Sequence, residues 1–460
     1  MTVPGMTAGF AAVEITPQPG IHMGGFWGRT SGALEVHDPL WARSLAFGLG
    51  GRRVAMVALD LVGLSAASAW SIKSRAAART GMQPDAVMVC CTHTHAGPLT
   101  LPVRGMGEVD AAYLEGLTEA AAQAVAGADA DRRAARLAYA RPEVRLGINR
   151  REDRAGQVII GRNPDGPTVP YAHVLRASRT GARDLVLFSC ACHPVVLGRA
   201  SHCLSAEFPG AAVRALEERT GMAALFVNGA CGDINPRVTG AGFEAMEGLG
   251  GELAERVVAA LTETRPLESD HLAWRSVQLQ LPLVDPPHWA RAMAHRAALT
   301  LKAGIHRIRA GGGDYWSQLV PRARLEWAEA MLALSRSGRR GLGQTFQVQG
   351  LRVGSLALLG MEGEIFSRYQ LDLEATSPLQ PTAVVGYANG CIGYVPTADE
   401  HRRGGYEAGE PYGQGLGSAV QAYQVYPSVQ MLAPAAEAVV RAGAEGVLTA
   451  LADPDPAGPY

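Results

Sequence analysis

Continuous apolar runs alternate with helical patterns along the first third of the chain. The run VAMVALD ends at Asp60, and the run AVMVCC ends shortly before His93. Such runs are typical of strands that are buried on both faces of a sheet. The pattern between them, about residues 66–80, predicts a helix. Strand, helix and strand in this order indicate an α/β unit with a parallel pair of strands.

The same succession recurs further along. A helix is predicted from Asp110 to Gly127, a strand in DLVLFSCACHP ends at His193, a helix covers about residues 209–220, and a strand in AALFVNGACGDINP follows. Open α/β sheets place their sites at the C-terminal ends of the strands. We therefore expect the polar ends THTH, CHP and GDINP to meet at one rim.

The sequence of the second half of the chain predicts helices and a few strands. A helix is expected over about residues 242–264, then an edge strand in HLAWRSVQLQLPL, a strand hairpin ending in MEGE, and a last helix at about 428–451. Residues 287–340 have an arginine-rich helical pattern. The fold prediction is one α/β domain over residues 1–452, with a mixed or largely parallel sheet flanked by helices. A helical excursion at about 287–340 and a flexible tail at 453–460 complete it.

Composition narrows the class of protein. Lys and Arg number 42 against 43 Asp and Glu, so the net charge is −1. This balance argues against a nucleic-acid binder or a polybasic membrane surface. No run reaches the length of a membrane span, and the N-terminus lacks the pattern of a signal peptide. We expect a cytoplasmic protein without stable membrane insertion; the sequence does not predict its oligomeric state.

The seven cysteines are an odd number scattered over apolar strands. This distribution favours small buried hydrophobic residues over a disulfide framework. Cys190 and Cys192 are an alternative pair of soft metal ligands, which we favour less.

Histidines mark the candidate chemistry. Side chains at i and i+2 of a strand share a face, so His93 and His95 are expected to point together into a cavity. Two histidines do not complete a catalytic zinc site, which usually takes three protein ligands and an open position. A hydrogen-bonded structural role is the alternative for strand-end histidines. Equally open are a site role and a capping role for the polar residues at the other strand ends, Asp60, Asp233 and Asn235. A solvated or capping role is favoured for the outlying histidines, His22, His37, His202 and His401.

Taken in order, the motifs resemble the neutral ceramidase family of zinc-dependent amidases. They are ITPQPG, ARSLAF, VALDLVGLS, CTHTHAGP, GINRR, CHPVVLG, SAEFPG, NGACGDINP, GMEGE, IGYVPT and GGYEAG. The resemblance implies that the zinc ligands are His93, His193, Glu364 and Tyr394. It also implies that the residues acting on the substrate are His95, Arg150 and Tyr406. Imidazole, carboxylate and phenol ligands suit Zn²⁺.

The sequence departs from this family in two respects. It has GDINP, with Asn235, where ceramidases have serine in GDVSP. We also expect a catalytic domain alone, without the secretion signal and the C-terminal immunoglobulin-like domain of the ceramidases. The resemblance then implies a zinc-activated water that attacks a linear amide of a small or lipid-like N-acyl compound. The alternatives are an esterase or lactonase with the same zinc site, and a non-catalytic metal-binding relative.

Overall fold

A computed structural model describes residues 5–309, 314–409, 421–426, 428 and 430–453. Residues 454–460 of the predicted tail lie outside the described residues. So do residues 410–420, which follow the GGYEAG motif.

The strands are short and mostly buried. In chain order they are β1 (Thr7–Glu14), β2 (Glu35–Val36), β3 (Trp41–Leu49), β4 (Arg52–Leu59), β5 (Val87–Cys91), β6 (Arg133–Ala140), β7 (Gly147–Arg154), β8 (Gln157–Asn163), β9 (His173–Arg179), β10 (Leu185–Cys190), β11 (Cys203–Leu204), β12 (Ala223–Asn228), β13 (Ile234–Pro236), β14 (Arg265–Pro266), β15 (Leu272–Pro282), β16 (Gly343–Val353), β17 (Leu356–Met361), β18 (Glu364–Ile365), β19 (Thr382–Val385) and β20 (Tyr394–Val395).

The longer helices follow the predicted segments, whereas the three short helices described between residues 367 and 425 were not predicted. In chain order they are α1 (Ala66–Thr80), α2 (Ala111–Ala130), α3 (Glu207–Thr220), α4 (Gly242–Leu261), α5 (Trp289–Arg309), α6 (Tyr315–Ser337), α7 (Ser367–Thr376), α8 (Ala398–Arg403), α9 (Ala422–Val425) and α10 (Ala436–Ala452). Helix α1 has the predicted bounds because Ser65 caps its first turn and Gly81, in the left-handed region, ends it. The last helix begins later than predicted, at Ala436. None of the described helices combines the length and the apolar character that a membrane crossing needs.

A 9-stranded mixed sheet contains both predicted α/β units. Its order is β12-β10-β9-β6-β1-β3-β4-β5, with β14 beside β6. Strands β4 and β5 are parallel and are connected by α1, and β10 and β12 are parallel and are connected by α3. The predicted α/β class, with a mixed sheet flanked by helices, is confirmed.

The sheet bends so that its two end strands meet. Strands β1 and β6 pair only at Thr7–Ala134 and Ala8–Arg133. This short ladder lets the two halves of the sheet face each other, and β12 contacts β5 although they stand at opposite ends of the order. The ends of β5 and β10 are therefore neighbours in space.

Asn228, the last residue of β12, ties these ends together. Its buried side-chain amide donates to the carbonyl oxygens of Thr92 and Cys192, at 3.1 Å each, and accepts from the Cys192 N–H at 3.3 Å. Thr92 follows β5 and Cys192 follows β10. One buried amide thus aligns the two segments that carry His93 and His193.

A smaller sheet supplies the remaining site segments. Its order is β15-β16-β17-β19, with β15 at the predicted edge and α10 packed against β15 and β16. The loop after β17 leads to Glu364, and the loop after β19 leads to Tyr394. Strands β18 and β20 pair in parallel with Glu364 opposite Tyr394. This ladder places the predicted carboxylate and phenol ligands side by side.

All seven cysteines are unpaired, and six of them are buried. Burial raises the pKa of the Cys90 and Cys190 thiols to about 12. The buried cysteines therefore behave as the small hydrophobic residues that the sequence predicts.

The contact between α2 and β1 gives a test of the packing. A Cβ atom at Gly9 of β1 would lie 2.1 Å from the carbonyl oxygen of Ala128 in α2. We expect Gly9→Ala to lower the free energy of unfolding by about 2 kcal/mol, because backbone must move to admit the methyl group. Denaturant unfolding followed by circular dichroism measures it.

Gly116 on the exposed side of α2 is the matched control, because nothing lies within 4 Å of a Cβ atom there. Gly116→Ala should raise the free energy of unfolding by about 0.5–1 kcal/mol through helix propensity. Equal unfolding midpoints for Gly9→Ala and the wild type would contradict the described contact.

Candidate metal centre

His93 stands just past β5 in a strained backbone conformation. Its φ angle is 69°, in the left-handed region that residues with a Cβ rarely adopt. The imidazole is buried, stacks on Tyr387 with ring centroids 3.9 Å apart, and bonds through Nδ1 to the carbonyl oxygen of Val62 at 2.6 Å. This bond makes Nδ1 the protonated nitrogen and leaves the Nε2 lone pair facing Glu364.

His193 is held in the same way. Its Nδ1 lies 2.7 Å from the carbonyl oxygen of Cys231 and 3.1 Å from that of Ile234. Burial first, and then the positive charge of Arg150, lower the pKa of His193 to about 3. The imidazole is neutral, and its Nε2 also faces Glu364.

The carboxylate of Glu364 lies where the Nε2 atoms of His93 and His193 converge. Its Oε2 lies 3.1 Å from Nε2 of His193 and 3.4 Å from Nε2 of His93, and its side chain is 1% exposed. Burial raises the pKa of this carboxyl, but His93 and His193 outweigh burial and hold it well below its ordinary value. The group is therefore an anion in an enclosed space.

The donor set fits a divalent cation. The lone pairs of two imidazoles converge on a carboxylate. The Nδ1 atom of each imidazole is already bonded to a backbone carbonyl oxygen, as is usual in metal sites. A cation at the convergence point would relieve the repulsion between these electron-rich atoms. Among the described residues, ligand atoms of His93, His95 and His193 all lie within 4.8 Å of one another. Cys190 and Cys192, the alternative that we favoured less, are absent from this group.

His95 lies next to His93, but not for the reason that the sequence predicted. Strand β5 ends at Cys91, so the expected alternation of the two histidines on one strand face is wrong. The backbone turn at His93 brings the imidazoles together instead, with their Nε2 atoms 3.1 Å apart. Burial, followed by His93 and His193, lowers the pKa of His95 well below its ordinary value. Its Nδ1 is buried without a hydrogen-bond partner among the described residues.

Three tyrosines form one wall beside Glu364. The ring of Tyr394 lies 5.7 Å from that of Tyr406 and 6.1 Å from that of Tyr426, edge to face in both cases. Tyr406 also stacks on Trp27, at 6.3 Å. Burial raises the pKa of all three phenols, so they are neutral hydrogen-bond donors.

Arg150 lies between this wall and His193. Its guanidinium carbon is 5.2 Å from the centre of the Tyr394 ring, and its Nη1 is 3.1 Å from Nε2 of His193. Its Nε donates to Glu407 at 2.7 Å, and Nη1 also donates to Oδ1 of Asn235 at 3.1 Å. Nη2 is buried without a hydrogen-bond partner among the described residues.

For Asp233 and Asn235, a site role and a capping role were both open, and the structure gives the two residues different roles. Asp233 accepts from the N–H and the hydroxyl of Ser367, at 2.7 and 2.8 Å, and so caps α7. It also accepts from Asn149 at 3.0 Å. Asn235 instead contacts Arg150 and therefore borders the site.

Asp60 bonds to the backbone at the start of β3. It accepts from the N–H of Trp41 at 2.9 Å, and burial raises its pKa to about 7. The outlying histidines also have local partners. For example, His22 lies against Trp316 and His37 stacks on Phe243.

Two site residues were missed by the sequence analysis, Tyr426 and Phe26. The hydroxyl of Tyr426 donates to Oε1 of Glu364, and the ring of Phe26 lies 4.9 Å from that of His95, edge to face. Tyr426 stands outside every motif, in QVYPS, and only the fold brings it to Glu364. Phe26 lies in GGFWGR, whose glycines and aromatics predict a turn; Gly25 there has φ 88° and packs against His95.

Comparison with known proteins places this geometry in a known fold. The chain is similar to a crystal structure of neutral ceramidase from Pseudomonas aeruginosa, with a TM-score of 0.72, 19% identity, and coverage of 99% of this chain and 75% of that one. It is also similar to a ceramidase complexed with C2, with a TM-score of 0.70, 17% identity, and coverage of 97% and 75%. No family model and no curated protein matches the sequence. The chain has the neutral ceramidase fold that its motifs predict.

The bond from Tyr426 to Glu364 gives a test of the centre. Removing a hydrogen bond to a metal ligand typically lowers metal affinity or activity by about 10–100-fold. We expect Tyr426→Phe to weaken zinc binding within this range, measured by competition with a chromogenic chelator. Tyr315→Phe, on the exposed start of α6, is the control and should bind zinc as the wild type does. Wild-type affinity in Tyr426→Phe would mean that the phenol does not support the carboxylate.

Proposed function

We propose that this protein is a zinc-dependent amidohydrolase that cleaves a linear amide of an N-acyl, lipid-like compound. The observation that carries the proposal is the convergence of His93, His193 and Glu364 in a chain with the neutral ceramidase fold. Ceramide is the first substrate to test, because the similar structures are named as ceramidases.

In this proposal, His93, His193, Glu364 and Tyr394 hold the metal. The Nε2 atoms of His93 and His193 lie 3.4 and 3.1 Å from Oε2 of Glu364, and Tyr394 is the register partner of Glu364. A zinc ion there supplies Lewis-acid activation of a water molecule near neutral pH. A set of three histidines, with His95 as ligand, is the competing arrangement that the geometry allows.

His95 is assigned the proton transfers. It is neutral and lies beside His93, so it can accept the proton of the attacking water and pass it to the nitrogen of the leaving amine. The water oxygen bonds to the carbonyl carbon as the C–O double bond opens and negative charge develops on the carbonyl oxygen. The C–N bond then breaks as the C–O double bond re-forms and the nitrogen receives the proton. The products are a carboxylic acid and an amine.

Arg150 and Tyr406 are assigned to the carbonyl oxygen of the substrate. Burial disfavours the charge of Arg150, but the carboxylates of Glu407 and Glu364 outweigh burial and raise its pKa. Its unpaired Nη2 and the neutral phenol of Tyr406 are donors for the negative charge that develops on that oxygen. Each such donor typically contributes about 3–4 kcal/mol to the transition state.

The first test is metal dependence. We expect prolonged chelation to abolish hydrolysis of N-acyl amides, and stoichiometric zinc to restore it, because the metal activates the water. Release of fatty acid from ceramide and from a simple N-acyl amide measures activity. Matched esters assayed beside these amides separate an amidase from an esterase. Full turnover by chelated, metal-free protein would refute the proposal.

The second test separates His93 from His95. His93→Ala should lose the bound zinc, whereas His95→Ala should retain one zinc per chain and lose about 10²–10⁴-fold in kcat through the missing proton transfer. Zinc content by elemental analysis and steady-state kinetics give the two readouts. Loss of zinc from His95→Ala would instead identify His95 as a ligand. The proton transfers would then have to be assigned to another residue.

A further inference from the structure

Helix α5 exposes an apolar face that no described part of the chain covers. Successive residues of an α-helix turn by about 100°, and the side opposite α6 then carries only apolar residues and glycine. They are Ala290, Met293, Ala294, Ala297, Leu301, Gly304, Ile305 and Ile308, all exposed. Leu301 is 67% exposed and Ile308 is 80% exposed, which is unusual for aliphatic side chains of this size. We call this set the α5 face.

The opposite side of α5 accounts for the packing of the helix. Ala292 and Leu299 are buried against Trp327, Met331 and Leu332 of α6. His306 bonds to the carbonyl oxygen of Ser317 at 3.2 Å. The α5 face is therefore surplus to the contacts that hold the helix in place.

Positive charge borders the α5 face on both edges. By the same helical geometry, Arg291, Lys302 and Arg309 lie on one edge. Arg307 lies on the other edge, next to Arg296, which pairs with Glu329 of α6 at 3.7 Å. Helix α5 has no Asp or Glu, although the whole chain has a net charge of −1. Helix α5 is therefore basic although the charges of the whole chain nearly balance.

We propose that the α5 face docks onto an anionic lipid surface. A helix with an apolar stripe, basic residues at its edges and no acidic residue lies in the plane of a membrane interface. Its aliphatic side chains enter the acyl boundary, while the arginines reach the anionic headgroups. A second copy of this chain fits poorly, because two such helices would bring like charges together. Nucleic acid fits poorly because the outermost surface is apolar.

The position of α5 connects this surface to the candidate metal centre. Its partner α6 contacts the segment before Phe26 through His22, whose ring is 5.0 Å from that of Trp316. Trp327 of α6 also lies 5.6 Å from Tyr423 of α9, three residues before Tyr426. The α5–α6 pair therefore packs on two segments that form the site. Docking of α5 would bring the site close to the lipid, but the docking itself does not depend on the proposed hydrolysis.

Vesicle sedimentation with the full chain tests the proposal. We expect the wild type to bind vesicles of equal parts phosphatidylcholine and phosphatidylglycerol at low salt, to bind pure phosphatidylcholine at least about tenfold more weakly, and to be released by high salt. The triple variant Leu301→Gln, Ile305→Gln, Ile308→Gln should lose about tenfold or more of the affinity for anionic vesicles. Arg291→Gln with Arg309→Gln should lose about fivefold per arginine.

Trp70→Gln is the matched control, because Trp70 is 53% exposed on α1, outside the α5 face. It should bind vesicles as the wild type does. The substituted positions are exposed, so circular dichroism should show that all variants fold. Unchanged vesicle binding by the triple variant would overturn the proposal. So would a wild-type dimer that binds no vesicles and becomes monomeric in the triple variant, since the α5 face would then join two copies of the chain.

Discussion

The candidate centre depends on two imidazoles whose outer nitrogens are committed to backbone carbonyl oxygens. His93 bonds to Val62, and His193 bonds to Cys231 and Ile234. Each bond fixes a tautomer and a ring orientation, so both Nε2 atoms must face Glu364. The carbonyl groups belong to the segments that follow β4 and β12, and the bent sheet brings these segments together by placing β5 beside β12. The chemistry of the site thus rests on the closure of the sheet.

A second layer of charge fixes the side chains around this centre. Glu407 accepts from both Arg150 and Arg151, at 2.7 and 2.6 Å, and Arg151 also donates to Glu400 at 2.6 Å. A buried carboxylate shared by two arginines satisfies its oxygens at the cost of a rigid arrangement. Arg150 therefore has little freedom to leave the cavity. This rigidity suits a group that must meet a developing negative charge without rearrangement.

The strands and helices near the site could be predicted because their patterns are local. The apolar runs before His93 and His193, and the helix bounded by Ser65 and Gly81, follow from periodicity and capping. The left-handed turn at His93 could not be predicted, because it is imposed by contacts with Val62 and Tyr387 that are remote in sequence. The same holds for Tyr426, since no local pattern marks a tyrosine that reaches Glu364 across 62 positions. The motifs of the resemblance predicted candidate ligands but not the hydrogen bonds that support them.

The asparagine in GDINP shows how one residue shifts the assignment of chemistry. A hydroxyl at position 235 would be a candidate nucleophile, whereas the amide of Asn235 cannot attack a carbonyl. The structure gives that amide another use, because its Oδ1 accepts from Nη1 of Arg150 at 3.1 Å. Asp233, two residues earlier, is occupied with the start of α7. In the proposed reaction, the GDINP loop therefore positions Arg150, and the attacking oxygen must come from water.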